Sequence, residues 1–315
     1  MFLQLLGRVL TSSDLWGATL QFAALLLLPA LGGLISERSG VTNIAMEGMM
    51  LTGAYAGVMT AKASGSVVIG VIGAIIAGTL MALVHAVVSI NFKANQIVSG
   101  IAINIAALGL TNYLLFIQTS NQGVPSLGNN LRLPNIALGP LSNIPFIGPV
   151  LFQQNVIFYV AVLILIGVQF LLFHTNIGLR IRAVGEHPQA ADTAGVNVRL
   201  VRYLCVLSSG ALSGLAGAFL SLGIAGIFNP NMTAGAGFIA LAAMIFGKYI
   251  PWGAGIACLI FGLGEALSPR LQGTGVSASL LSTIPYILTL VALVGLVGRT
   301  TPPAADGIPY EPGSE

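Results

Sequence analysis

The stretch Val67-Val-Ile-Gly-Val-Ile-Gly-Ala-Ile-Ile-Ala-Gly-Thr-Leu-Met-Ala-Leu-Val-His85-Ala-Val-Val-Ser-Ile90 contains no Asp, Glu, Lys or Arg. A helix needs about 20 mostly apolar residues to cross the hydrocarbon core of a bilayer. In that medium a helix satisfies its own backbone hydrogen bonds, as few other structures can. The stretch therefore predicts a transmembrane helix, and the rest of the chain agrees with it. Of 315 residues, 56% are hydrophobic and 7% charged, with 40 Gly and a mean hydropathy of +0.93. Soluble domains carry roughly a quarter charged residues. This composition excludes an ordinary soluble domain, a disordered chain and a nucleic-acid-binding protein, and the glycines suit close helix packing.

Working outward, nine segments qualify as spans: 16–35, 41–61, 67–90, 96–117, 155–173, 203–227, 238–250, 252–268 and 280–298. The fold class expected is an all-α integral membrane protein, a polytopic bundle of about nine transmembrane helices. The seventh segment is short, either a half-helix or one that runs back into the Gly-rich stretch 233–237. The second opens on Thr42, Asn43 and Glu47, so its first turns should avoid lipid. Residues 1–15 carry Arg8 and Asp14 and do not form a cleavable signal; they fit an amphipathic segment on the membrane surface.

Net charge is only +3, so placement matters more than the sum. Arg180, Arg182, Arg199 and Arg202 crowd the loop at 177–202, which the positive-inside rule assigns to the cytoplasm. Counting from there puts Arg38, Lys93, Lys248 and Arg299 on the same side, and Arg8, Lys62, Arg132 and Arg270 outside. The expected topology has the N-terminus out and the C-terminus in. A transmembrane domain would span 16–299, with an outer capping loop at 119–154 that includes a re-entrant piece near 144–152. A Pro- and acid-bearing tail at 300–315 is expected to be disordered. No strong internal repeat is visible. Cys205 and Cys258 sit in apolar runs and read as packing residues.

The long polar loop reads Gly178-Leu-Arg-Ile-Arg-Ala-Val-Gly-Glu186-His187-Pro188-Gln-Ala190-Ala191-Asp-Thr-Ala-Gly195-Val-Asn197. Pro188 is tolerated in a helix's first turn, and Gly195 can end the helix it opens. A short surface helix between two spans, with charges at its ends, suits docking into a groove of a partner protein. It is also the form of an ordinary charged loop.

This loop resembles the coupling loop of permeases from ATP-binding-cassette importers, in the sugar, nucleoside and branched-chain amino-acid group. Two further segments are similar to that family. One is Ser39-Gly-Val-Thr-Asn43-Ile-Ala-Met-Glu47-Gly-Met-Met-Leu-Thr-Gly53-Ala. The other, Asn95-Gln96-Ile-Val-Ser-Gly-Ile-Ala-Ile-Asn104-Ile-Ala-Ala-Leu-Gly109-Leu-Thr, resembles the nucleoside branch. The resemblance covers roughly 16–298. Sugar-importing relatives usually have an additional helix before the first one here.

The resemblance implies that Glu186, His187, Pro188, Ala190, Ala191 and Gly195 couple the bundle to an ATPase subunit. It implies no cofactor in this chain, with ATP and Mg on the partner ATPase. It further implies a second, related permease chain, an extracellular substrate-binding protein or lipoprotein, and a place in the cell (inner) membrane. The mechanism implied is alternating access.

Polar residues within the spans are the candidates for a substrate pathway. Glu47 and Glu265 are the acidic side chains set well inside spans, and a buried ionisable group normally faces a cavity, partner or interface. Asn43 lies one turn before Glu47. Glu47 can line the pathway or satisfy backbone donors where a helix begins. Asn95 and Gln96 open the fourth span, and Gln96, Asn104 and Asn112 recur every eight residues, about two turns plus a small drift. That stripe suits a base or ribose, since amides both donate and accept; it suits interhelical hydrogen bonds equally well. Tyr113 and Phe116 can stack on a base or anchor at the membrane interface. His85 and His174 stand apart, and no metal site is expected.

The chain has no Gly-x-x-x-x-Gly-Lys-Ser/Thr loop, so it is not itself the ATPase by that route. It also has no Gly-x-Ser-x-Gly or His-Glu-x-x-His motif, which weighs against an intramembrane enzyme. An ion-coupled secondary transporter would use Glu47 or Glu265, but would leave the 186–195 loop without a role.

Overall fold

Ser12 opens the first long helix by accepting a hydrogen bond from the Leu15 N–H at 3.3 Å, a side-chain cap for an otherwise unpaired donor. In the computed structural model this helix, α1, spans Ser13–Glu37. The structure describes residues 7, 9–119, 127–128, 131–137, 139–271, 277, 280, 283, 287 and 300–311. The other helices of the bundle are α2 (Met46–Ser64), α3 (Val67–Ala86, continued by a wider π turn at Val87–Asn91), α4 (Gln96–Thr119) and α5 (Val156–His174). They are followed by α6 (Asn176–Glu186), α7 (Pro188–Thr193), α8 (Val198–Ala218, continued by a π segment at Phe219–Ala225), α9 (Ala236–Phe246) and α10 (Pro251–Arg270). Among the described residues, six helices are long and apolar enough to cross a membrane: those beginning at Ser13, Val67, Gln96, Val156, Val198 and Pro251.

α8 is the axis of the bundle, packed on α1, α2 and α3. Lipid tails are as apolar as leucine, so helices in a membrane associate through close contact rather than through apolar burial. The sequence supplies that contact with small residues. On α3, Gly70, Ala74, Gly78 and Ala82 recur every four residues and are all buried. Gly78 meets the backbone of Gly210 and Gly214 on α8, and Gly214 in turn lies against Ala74. On the other side of α8, a methyl group added at Gly53 of α2 would fall 2.7 Å from the Gly214 Cα. The opposite face of α3 exposes Val68, Ile72, Ile76 and Leu80, and α4 exposes Ile101, Ile105 and Tyr113, faces suited to lipid or another chain.

Two expected spans depart from regular helix. The second segment enters the bundle as non-helical chain and becomes α2 only at Met46. The seventh is a half-helix: α9 has 11 residues, about 16 Å at 1.5 Å per residue, well short of a bilayer core. It begins after a turn at 233–235 and stops at Gly247, where Lys248 and Tyr249 adopt positive φ angles of 56° and 54°. The ninth segment, 280–298, lies mostly outside the described residues, as do residues 1–6 and 8 and, in the loop 119–154, residues 120–126, 129–130 and 138. The 144–152 piece contains a short helical turn, Gly148–Phe152, packed against α1.

The basic residues collect at the two ends of the bundle. Arg38 donates to the Tyr249 carbonyl at 2.8 Å, and Arg202 donates to the Ser39 carbonyl at 3.2 Å. These, with Lys93, mark the end that carries α6 and α7. Arg270 donates to the Asp14 carbonyl at the opposite end. Residues 300–311, expected to be disordered, run across the α6–α7 end in specific contact with it. Ala305 and Tyr310 are buried there, and Tyr310 packs on Val184, Ala191 and Val198.

Candidate translocation core and coupling surface

The non-helical chain at 41–45 is buried, so each of its polar groups needs a partner. Three helices supply them. Gln96 Oε1 accepts from the Thr42 N–H at 2.7 Å. His85, fully buried on α3, holds the Thr42 carbonyl through Nε2 at 3.1 Å and Ser99 Oγ through Nδ1 at 3.0 Å. Asn43 donates to Ser209 Oγ on α8 at 2.8 Å, and its Oδ1 accepts from the Ala45 N–H at 3.0 Å. Asn104 straddles the start of α2: it donates to the Ile44 carbonyl at 3.0 Å and accepts from the Gly48 N–H at 2.8 Å.

The amide stripe therefore resolves into separate parts. Gln96 and Asn104 clasp the entry to α2. Asn112 is exposed on the outer face of α4, as are Tyr113 and Phe116. Asn95 is exposed and caps its own helix, its Oδ1 accepting from the Ile97 N–H at 3.0 Å and the Val98 N–H at 3.1 Å. Gln96 Nε2 is buried without a partner among the described residues. Asn104→Leu should lower thermal stability, because it orphans two backbone groups at about 1–3 kcal/mol each. Asn112→Leu should not. Melting of the detergent-purified protein checks both, and equal melting temperatures would refute the clasp.

Glu47 is 8% exposed and ends on another helix. Its Oε1 accepts from Thr233 Oγ1 at 2.6 Å and the Gly235 N–H at 2.9 Å; its Oε2 accepts from the Gly237 N–H at 2.7 Å. The carboxylate thus caps α9, where unpaired N–H groups and the helix dipole favour negative charge. A methyl group at Gly237 would meet the Glu47 nitrogen at 2.5 Å, so only glycine lets the starts of α2 and α9 approach this closely. Glu265 of α10 does not join Glu47. It lines a cavity of about 120 Å³ with Thr233, Ala234 and Ala236 of the same turn. Both carboxylates therefore adjoin the 233–236 turn.

At the end that carries α6 and α7, Thr175 caps α6 by accepting from the Gly178 N–H at 3.1 Å. Arg182 lies over the Phe173 ring, 5.1 Å from its centroid, a cation–π contact that holds α6 to α5. Pro188 takes the first turn of α7, and Gly195 follows it with φ +80°, a left-handed conformation that suits glycine. The six coupling candidates divide by exposure. Glu186, His187, Ala190 and Gly195 face solvent; Pro188 and Ala191 are buried and anchor the helix.

Several residues escaped the sequence reading. Thr233, Gly235 and Gly237 form the other half of the Glu47 site; an acid within an apolar span and a Gly-rich stretch were both visible, but nothing in the sequence paired them. Arg202, read as a topogenic charge, is a 2% exposed tie that donates to the Ile308 carbonyl at 2.9 Å. Asp306 accepts from Thr42 Oγ1 at 3.0 Å.

Burial raises the Asp306 carboxyl to about 6, against the Thr42 hydroxyl, the Gly307 N–H and the Arg202 cation, which pull it down. Glu37 and the Tyr249 hydroxyl face it as well. An acid whose folded value is raised stabilises the fold below its ordinary value near 4, and that stability is lost as pH rises through about 6. Asp306→Asn should flatten the fall in melting temperature between these limits; an unchanged slope would refute the assignment.

The family model described as branched-chain amino acid transport system / permease component matches residues 17–293. A guanosine ABC transporter permease protein of Bacillus subtilis (strain 168) is 40% identical over 311 residues, covering 93% of this chain and 95% of that relative. A nucleoside ABC transporter permease protein of Lactococcus lactis subsp. cremoris (strain MG1363) is 38% identical, covering 90% and 92%. A putative glucose ABC transporter permease protein of Haloferax volcanii is 36% identical, covering 92% and 93%. No solved structure matches the chain.

Proposed function

The chain belongs to the permease-component family of branched-chain amino acid transport systems, and from that premise we propose that it is the membrane-spanning subunit of an ATP-driven nucleoside importer. The observation that carries the reading is the pair of relatives named for guanosine and nucleoside transport, 40% and 38% identical along nearly the whole chain. The relative named for glucose is 36% identical, which keeps a sugar as the second reading.

The protein is a multi-pass membrane protein, and we place it in the cell membrane with about nine spans, N-terminus outside. The α6–α7 pair then faces the cytoplasm. Glu186, His187, Ala190 and Gly195 present a short convex surface to an ATPase subunit that holds ATP and Mg. Pro188 and Ala191 seat that surface on the bundle. A second permease chain would cover part of the apolar exterior, and an extracellular binding protein would deliver substrate. ATP-driven closure of the ATPase pair would move α6–α7. Through Gly185, which lies against the Arg38 backbone, that movement would reach the bend at 39–45 and the starts of α2 and α9. In this mechanism Asn43, Glu47, Gln96 and Asn104 hold the moving joint together, and Glu265 faces the cavity beside it.

Radiolabelled guanosine uptake by cells carrying the complete transporter tests the substrate, with glucose as competitor. Guanosine uptake that glucose does not inhibit supports the reading; glucose uptake alone would move it to sugars. Glu186→Ala and Gly195→Trp should each reduce uptake to background while leaving the chain in the membrane. Gly195 has open space around it, so a Trp there clashes with a docked partner and strains the φ +80° turn rather than the bundle. Normal uptake in both variants would refute the coupling assignment.

A further inference from the structure

Residues 300–311 do more than rest on the bundle; they join its coupling surface to its polar clasp. The Ala305 N–H donates to the Gly185 carbonyl at 2.9 Å, and the Ala304 N–H donates to Glu186 Oε2 at 3.2 Å. Asp306 takes the Thr42 hydroxyl, and Arg202 holds both the Ile308 carbonyl and the Ser39 carbonyl. Tyr310 packs on Val184, Ala191 and Val198, which belong to α6, α7 and α8. Glu311 pairs with Lys93 at 2.6 Å, just before α4. One short segment therefore touches the coupling helices, the 39–42 bend, α8 and the entry to α4.

The coupling helices need such support. α7 has 6 residues, too few to be stable on its own. Its inward contacts are Pro188 and Ala191. Beside it a polar cavity of about 410 Å³ opens between Asp192, Arg199 and Tyr310, so Tyr310 closes one wall of the loop's backing. A surface that transmits force must move with what it drives; a loop that yields would absorb the motion.

We propose that residues 303–311 are a positioning strap that makes α6–α7 and the 39–45 bend move as one body. Tyr310, Ala305 and Asp306 are positioning residues, acting through the loop and the bend rather than on substrate. The proposal rests on the reading of α6–α7 as the coupling surface.

The test uses the transporter purified with its co-purifying subunits and returned to lipid vesicles. It compares the native chain with Tyr310→Ala and with a chain stopped at Thr301. Two readouts are taken: amide hydrogen exchange over 186–197, and guanosine accumulated per ATP hydrolysed. The expected result is exchange at least tenfold faster in both variants, with transport per ATP falling severalfold while the ATPase still co-purifies. Unchanged exchange in both variants overturns the proposal. Faster exchange with unchanged transport per ATP also overturns it, because the strap would then order the loop without serving coupling. If no ATPase co-purifies with the native chain, the coupling reading itself fails, and exchange in the chain alone still decides whether the strap holds the loop.

Discussion

Glu47→Leu is expected to abolish uptake and to leave little folded protein in the membrane. The substitution keeps roughly the volume but removes every acceptor from the start of α9. The Gly235 N–H, the Gly237 N–H and the Thr233 hydroxyl lose their partners together. Each orphaned buried group costs about 1–3 kcal/mol, and water does not reach a bilayer interior to replace the bond. The sum rivals the whole stability of a typical domain. Glu47→Gln should fall between: one oxygen still accepts, but the amide N–H₂ is turned toward backbone donors. Glu47→Asp should resemble the loss, because a shorter side chain does not reach across to Gly237. Accumulation in membranes, melting in detergent and guanosine uptake read the series. The expected order is native, Gln, then Asp and Leu; a Leu variant that folds and transports would show that α9 needs no cap.

Gly214→Leu should be as damaging for a different reason. Gly214 is pressed against the backbone of Ala74, and its own Cα and carbonyl are what Gly53 approaches from the other side. Backbone, unlike a side-chain tip, does not rotate away. Overpacking of a core costs about 1–3 kcal/mol where neighbours relax; here α2, α3 and α8 would have to separate, and the contact that drives their association would go with them. The expected outcome is a chain that inserts but yields no monodisperse species on size-exclusion chromatography. Gly109→Leu is the control: nothing lies within 4 Å of a side chain there, and α4 exposes that face. It should purify and transport as the native chain does. Similar behaviour of the two variants would contradict the close α3–α8 contact.

Legibility followed the range of the physics. Nine apolar segments were read from hydropathy; helices lie in eight of them within the described residues, and six are long and apolar enough to cross a membrane, because in a bilayer a long apolar run satisfies its backbone as helix. The turn at Gly195 and the first-turn Pro188 were likewise local: one residue's φ preference decides each. The amide stripe was visible as a spacing, yet spacing did not tell Asn104, which clasps the start of α2, from Asn112, which faces outward. That choice depends on which helix lies opposite. The 300–311 segment carried no signal of order, since its contacts are with residues far away in the chain.

The amino-acid sequence by itself determined that this is a helical membrane protein, where its long apolar helices run, and which family it belongs to. Each of these rests on composition or on neighbours along the chain. Only the tertiary structure decided that Glu47 caps α9, that Asn43, Gln96 and Asn104 sustain a break in the second segment, and that Arg202, Thr42 and Gly185 are joined by residues 303–311. Those pairings cross 54 to 264 positions of sequence, as Thr42–Gln96 and Thr42–Asp306 do. Side chains so far apart are matched by packing in three dimensions, where a buried donor must meet whichever acceptor the fold brings within 3 Å.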